Sequence, residues 1–283
     1  MLTYPNIDPV AISVDAFTIL GFTIGPLNVH WYGIAYLSGF IGAWLLALKR
    51  ARQGGRVIVA EQAEDMIFYG AMGLVLGARI GYIVFYNFSA WMDDLGLIFR
   101  LWEGGMSFHG GMIGLALAML LFARKINRNF FDLVDFIAPL APIGLFFGRI
   151  ANFIGGELYG RVTDSPVGMV FPGDPDNARH PSQLYEAFLE GLVLFAILYW
   201  FSSKPRPRGA VIGLFVLLYG VFRFSVEFFR QPDAHINYDL FGWVTRGQIL
   251  CVPMMIVGAA LIYWAYSSQK TFEENIANKK AKA

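Results

Sequence analysis

Hydrophobic runs close to the length of a membrane span recur at about seven places in this chain, roughly 28–48, 64–86, 109–124, 133–153, 183–201, 209–229 and 248–267. No soluble fold of this size hides so many uninterrupted apolar stretches, so they predict an all-α integral membrane protein of about seven transmembrane helices. Composition agrees: 56% of the residues are hydrophobic and only 15% are charged, with a mean hydropathy of +0.51. The net charge of +1 excludes a generally basic nucleic-acid binder. Cys251 is the only cysteine, which excludes an internal disulfide and a cysteine metal cluster. The first twenty residues hold Asp8 and Asp15 but no Lys or Arg, so the basic start of a cleavable signal peptide is missing.

The runs read as a single polytopic membrane domain over 1–283. Residues 1–27, with Pro5, Pro9 and Pro26, form an irregular outer or interfacial segment. Residues 154–182 form a small outer-face loop region, and 269–283 a polar cytoplasmic tail. Basic residues set the expected orientation. Lys49, Arg50, Arg52 and Arg56 follow the first run, Arg124, Lys125 and Arg128 the third, Lys204, Arg206 and Arg208 the fifth, and Lys270, Lys279, Lys280 and Lys282 the seventh. The alternate connections carry Asp93, Asp94 and Glu103, then Asp164, Asp174 and Asp176, then Asp233 and Asp239. The positive-inside rule then places the amino terminus outside and the carboxyl terminus in the cytoplasm. In the second run Gly73, Gly77 and Gly81 make a four-residue ridge against which a neighbouring helix can close.

The other basic residues are all arginines: Arg79, Arg100, Arg149, Arg161, Arg179, Arg223, Arg230 and Arg246. A guanidinium is a planar, permanently charged fork that fits phosphate and carboxylate oxygens, and within a membrane it needs a partner. The stretch Gly148 to Arg161 puts Arg149 and Asn152 three residues apart, on one helical face. No carboxylate stands three or four residues before Arg149, so a local structural ion pair is not expected there. Arg223, Glu227 and Arg230 fall on one stripe. Arg223 with Glu227 reads equally as an internal pair that orders the bundle, whereas Arg230, at the exit of its helix, reads as a ligand contact. Arg79, with Tyr82 nearby, is a further candidate.

His109 stands in Ser107-Phe108-His109-Gly110-Gly111 at the mouth of the third run. Alone it reads as a structural histidine; its position toward the outer ends of the arginine-bearing helices makes it a candidate acid or base. His30-Trp31-Tyr32 with Tyr36 reads as an interfacial aromatic belt, and His180 and His235 carry little signal. No Gly-x-Ser-x-Gly elbow, membrane lysine, Walker loop or dinucleotide fingerprint is present, which disfavours a serine triad, a Schiff base and bound nucleotide.

Along nearly its whole length the chain resembles the bacterial prolipoprotein diacylglyceryl transferases. The matching residues are His30-Trp31-Tyr32-Gly33, Ser107 to Gly111, Gly148 to Arg161, His180-Pro181-Ser182-Gln183-Leu184-Tyr185-Glu186, Glu227-Phe228-Phe229-Arg230-Gln231-Pro232-Asp233 and Gly247-Gln248-Ile249-Leu250. The family signature has Asn where this chain has Gly155. The resemblance implies transfer of a diacylglyceryl group from phosphatidylglycerol to the lipobox cysteine of a preprolipoprotein signal peptide, with glycerol phosphate released and no cofactor or metal required. It implies a multi-pass protein of the bacterial cytoplasmic (inner) membrane with its site toward the outer face. It further implies catalytic roles for Tyr32, His109, Arg149 and Arg230. Substrate binding would fall to Arg149, Asn152, Glu157, Gly160 and Arg230, with Arg79 and Glu227 added from the charge pattern. An anionic-lipid transporter or a membrane scaffold remains as an alternative; the first predicts internal repeats, the second no gathering of polar groups at one depth.

Overall fold

The computed structural model describes residues 2–5, 7–19, 22–53, 57–231 and 244–268. Arg56, Asp233, His235, Asp239 and the expected tail 269–283 lie outside the described residues. The helices in chain order are α1 (Trp31–Arg52), α2 (Ala60–Tyr86), the short α3 (Phe88–Asp93), α4 (Phe108–Lys125), α5 (Phe130–Ile137) and α6 (Ala141–Ile154). Then α7 (Ser182–Glu186) runs through a π-helical segment (Ala187–Val193) into α8 (Leu194–Phe201), and α9 (Ala210–Glu227) and α10 (Arg246–Ser267) follow. Six of these are long and apolar enough to cross a membrane, Ser182–Phe201 counting as one, and α5 with α6 makes a seventh if the pair is one span. A 22-residue helix such as α1 rises about 33 Å, enough for a hydrocarbon core of about 30 Å.

Each expected run coincides with one of these elements. The fourth differs in being broken: α5 and α6 are bent by 45° at the break between them. Pro139 lies in the break and Pro142 in the first turn of α6; proline lacks an N–H and clashes with the preceding turn, so a straight helix cannot continue. The described residues of 1–27 differ too, in carrying paired strands. Strand β1 (Leu2–Thr3) lies parallel to β6 (Met169–Phe171), which pairs with β7 (Asp174–Arg179). Strand β2 (Val10–Val14) pairs with β5 (Leu27–His30), and β3 (Phe17–Ile19) with β4 (Phe22–Ile24). Pro5, Pro9 and Pro26 all fall between strands, where a missing donor does no harm.

The chain divides into two compact units, Met1–Ala43 with Ile137–Ala283, and Trp44–Phe136. In the second, the glycine ridge does what its spacing predicts. A Cβ on Gly77 would lie 2.4 Å from the Gly110 carbonyl, and one on Gly114 2.1 Å from that of Gly73, so α2 and α4 touch backbone to backbone. Ser107 caps α4 by accepting from the Gly110 amide at 3.2 Å. In the first unit the same device recurs: Gly258 of α10 sits against the Leu217 backbone of α9, and Gly39 of α1 against Gly144 of α6. Leu194, Leu198 and Val211 form a buried apolar core with Ala138. Outward-facing Leu37, Leu45, Trp200, Leu250, Ile256 and Tyr263 are exposed, as lipid-facing side chains should be.

Candidate active site

The strongest concentration of charge in the first unit forms around two glutamates. Ser182 donates to the Leu158 carbonyl (3.1 Å) and Gln183 to that of Glu157 (2.6 Å), docking the start of α7 on the loop after α6. The helix then presents Glu186 and, within the π-helical segment, Glu190; neither has any solvent exposure. Glu186 Oε2 lies 2.9 Å from Arg149 Nε, and its Oε1 takes Arg223 Nη1 at 2.9 Å and Arg230 Nη1 at 2.8 Å. Glu190 Oε2 is 3.6 Å from Arg149 Nη2. Glu227 completes the network, its Oε2 being 3.0 Å from Arg223 Nη2 and 3.4 Å from Arg230 Nε.

Three arginines and three glutamates cancel formally, which is how so much charge is tolerated in an apolar bundle. The arginines are not sealed: their side chains remain 19% (Arg149), 18% (Arg223) and 14% (Arg230) exposed, while the glutamates are buried behind them. Cations face outward and anions inward, an arrangement suited to an incoming anion. Close backbone approach makes it possible. Gly191 meets the Phe146 Cβ so tightly that its own Cβ would lie 2.7 Å away. Gly247 lies against the Glu227 carboxylate, which also accepts from the Thr245 hydroxyl at 2.9 Å.

Arg230 is held from behind as well. Gly160 donates to the His180 carbonyl (2.8 Å) and Arg161 to that of Phe229 (2.9 Å). A Cβ on Gly160 would stand 2.2 Å from the Phe229 carbonyl, so glycine is required for this contact. Arg161 adds Nε to the Arg230 carbonyl at 2.7 Å. Arg179 reaches Gln231 Oε1 at 3.0 Å and pairs with Asp174; hydrogen bonds from Asn177 and Arg179 hold the Asp174 carboxyl below the usual carboxylate range. His180 packs edge-on against Tyr185 and Phe229, and burial pushes its pKa down.

The remaining expected residues divide by unit. Asn152 donates to Glu157 Oε1 at 2.7 Å, a pair beside the arginine cluster. Tyr32 packs against Tyr36 with the rings tilted and their centroids 5.1 Å apart, and Tyr36 stands within electrostatic reach of Arg149 and Glu157. Arg79 and His109 belong to the Trp44–Phe136 unit. Arg79 is buried and donates to the carbonyls of Leu97, Ile98, Arg100, Gly104 and Gly105. Arg79 therefore pins this loop rather than offering an open fork, where a substrate contact was expected. His109 is exposed in the first turn of α4 with its ring edge-on to Phe108.

Arg149 has no local carboxylate partner, as expected; its partners Glu186 and Glu190 come from another helix. Arg223 is more than the partner of Glu227, since it bridges Glu227 and Glu186. Glu186 entered only as part of a motif and Glu190 not at all. The available signal was two acidic residues four apart inside a stretch as apolar as 183–201, where a carboxylate needs a reason as much as an arginine does.

Comparison with known proteins agrees with this architecture. The family model described as prolipoprotein diacylglyceryl transferase matches residues 20–264. A phosphatidylglycerol–prolipoprotein diacylglyceryl transferase from Teredinibacter turnerae is 61% identical over 266 residues, 94% of this chain and 93% of that protein. Proteins of the same name from Acinetobacter baylyi and Coxiella burnetii are 55% and 53% identical, covering 94% of this chain and 95% and 98% of their own lengths. The chain therefore belongs to the prolipoprotein diacylglyceryl transferase family.

Proposed function

We propose that this protein moves the diacylglyceryl group of phosphatidylglycerol onto the thiol of a lipobox cysteine in a preprolipoprotein. The new bond joins the cysteine sulfur to the glyceryl carbon. The bond that breaks joins that carbon to the phosphate oxygen, which leaves with the headgroup as glycerol phosphate. A singly charged phosphodiester becomes a doubly charged monoester and the thiol gives up one proton, so negative charge grows on the phosphate. Groups aimed at that charge lower the barrier. The observation that carries the reading is the outward-facing set Arg149, Arg223 and Arg230 backed by buried glutamates. Arg149 and Arg230 clamp the phosphate, with Arg223 beside them. Asn152, Glu157 and Gly160 shape the pocket edge, and Glu227 holds the arginines. His109 takes the thiol proton, a role carried over from the family resemblance, and Tyr32 is a hydrogen-bonding partner for the substrate.

The test is to incubate the purified protein with phosphatidylglycerol labelled in its acyl chains and a lipobox peptide. Labelled peptide and released glycerol phosphate in equal amounts are expected. Movement of intact lipid with no peptide labelling would overturn the reading in favour of a transporter. Cys251 is buried at the α9–α10 contact and the nucleophile is the substrate's own, so Cys251→Ser retains most of the activity; near-complete loss in a folded protein would place Cys251 in the chemistry.

The site faces the outer side of the cytoplasmic membrane, where a signal peptide presents its cysteine. The support is the alternation of basic and acidic connections, with Arg206 in the basic stretch after α8. A reporter fused after Arg206 is expected to be active only in the cytoplasm; an external signal would reverse the orientation.

A further inference from the structure

We propose that Glu190 is a positioning residue for the transfer reaction, acting through Arg149. The inference rests on the reading of Arg149 as a phosphate clamp. Glu190 is fully buried, and among the described residues neither of its side-chain oxygens has a hydrogen-bond donor. Such a carboxylate is costly to keep in an apolar bundle unless a charge nearby needs it. The charge nearby is Arg149, whose Nη2 lies 3.6 Å from Glu190 Oε2 while its Nε is held by Glu186 at 2.9 Å.

The two carboxylates act at different points of one guanidinium. Glu186 pairs with Arg149 at Nε by charge alone, without a hydrogen bond to that oxygen among the described residues, and is shared with Arg223 and Arg230, so by itself it does not set the plane of the guanidinium. A second negative charge on the Nη2 side fixes the plane. The plane matters because bidentate phosphate contact is directional in a way that a point charge is not. The backbone is built for this placement. Glu190 sits in the π-helical segment Ala187–Val193, a distortion found mostly as single turns and frequently at functional sites. Its neighbour Gly191 lies tightly against Phe146 of α6, one turn before Arg149 on that helix.

A double-mutant cycle between Glu190→Gln and Arg149→Lys tests this, with transfer measured as kcat and as KM for phosphatidylglycerol. Glu190→Gln keeps shape and removes charge; kcat is expected to fall about tenfold, within the range that coupled members of one ion-pair network show, with KM changing little. In the Arg149→Lys background, where no plane is left to set, the same substitution is expected to change kcat by less than about twofold. Equal losses in both backgrounds, or no loss in the first, would overturn the proposal. If Arg149→Lys alone kept full turnover, the clamp reading itself would fail, a different result. Should Glu190→Gln not fold, the cycle is run with Glu190→Asp, which keeps the charge but retracts it by one methylene; additive losses there overturn the proposal equally.

Discussion

Arg149→Lys is expected to insert and fold like the parent protein yet to transfer the diacylglyceryl group about 10²–10³ more slowly, the usual loss when one transition-state donor is removed. Folding survives because lysine keeps the positive charge that Glu186 and Glu190 require, so the buried network stays neutral. Transfer does not, because an ammonium has no planar fork with which to hold two phosphate oxygens at once. Arg161→Lys makes the contrast. Arg161 holds the Arg230 carbonyl through Nε at 2.7 Å, a contact an ammonium can in part replace, so a smaller loss is expected. Both are read with labelled phosphatidylglycerol and a lipobox peptide, with the melting temperature in detergent as the folding control. Near-normal turnover in Arg149→Lys together with loss in Arg161→Lys would move the clamp to the loop after α6.

What could be read from the sequence divides by the range of the interaction. The apolar runs and the glycine ridge are local patterns with one physical outcome, and the spans and the α2–α4 contact follow them. The break between α5 and α6 was equally local, since Pro139 and Pro142 mark it, but hydropathy alone passes over it. The strands of residues 1–27 were hidden because each is short and β1 finds its partner more than 160 residues away. The site shows the same division. Asn152 with Glu157, and the stripe of Arg223, Glu227 and Arg230, are close enough in sequence to be paired on paper. Glu186 and Glu190 reach Arg149 only once the helix from Ser182 to Phe201 has packed on α6, and no spacing rule reports that. Arg79 shows the same limit: its guanidinium is engaged by the carbonyls of a loop that the sequence did not show would fold back to it.

The shared carboxylate sets up the largest expected effect on stability. Glu186 has no solvent exposure and contacts all three arginines of the cluster. Glu186→Gln keeps an acceptor oxygen and the shape but leaves the three cations facing only Glu190 and Glu227. Removing one partner of a buried ion pair typically destabilises by about 3–5 kcal/mol because the remaining charge is uncompensated. A marked drop in folded yield and melting temperature is therefore expected, together with loss of transfer. The cause can be isolated by removing a positive charge as well. Arg223→Gln is the suitable companion, since Glu227 would still keep Arg230 at 3.4 Å and the Thr245 hydroxyl at 2.9 Å. With two arginines opposite two glutamates the network is neutral again, and the double variant is expected to recover most of the lost stability while remaining slow in transfer for want of Arg223. A double variant no more stable than Glu186→Gln alone would mean that Glu186 orders the bundle through its hydrogen bonds and shape, and that charge balance is not what permits three arginines to stand together in an apolar protein.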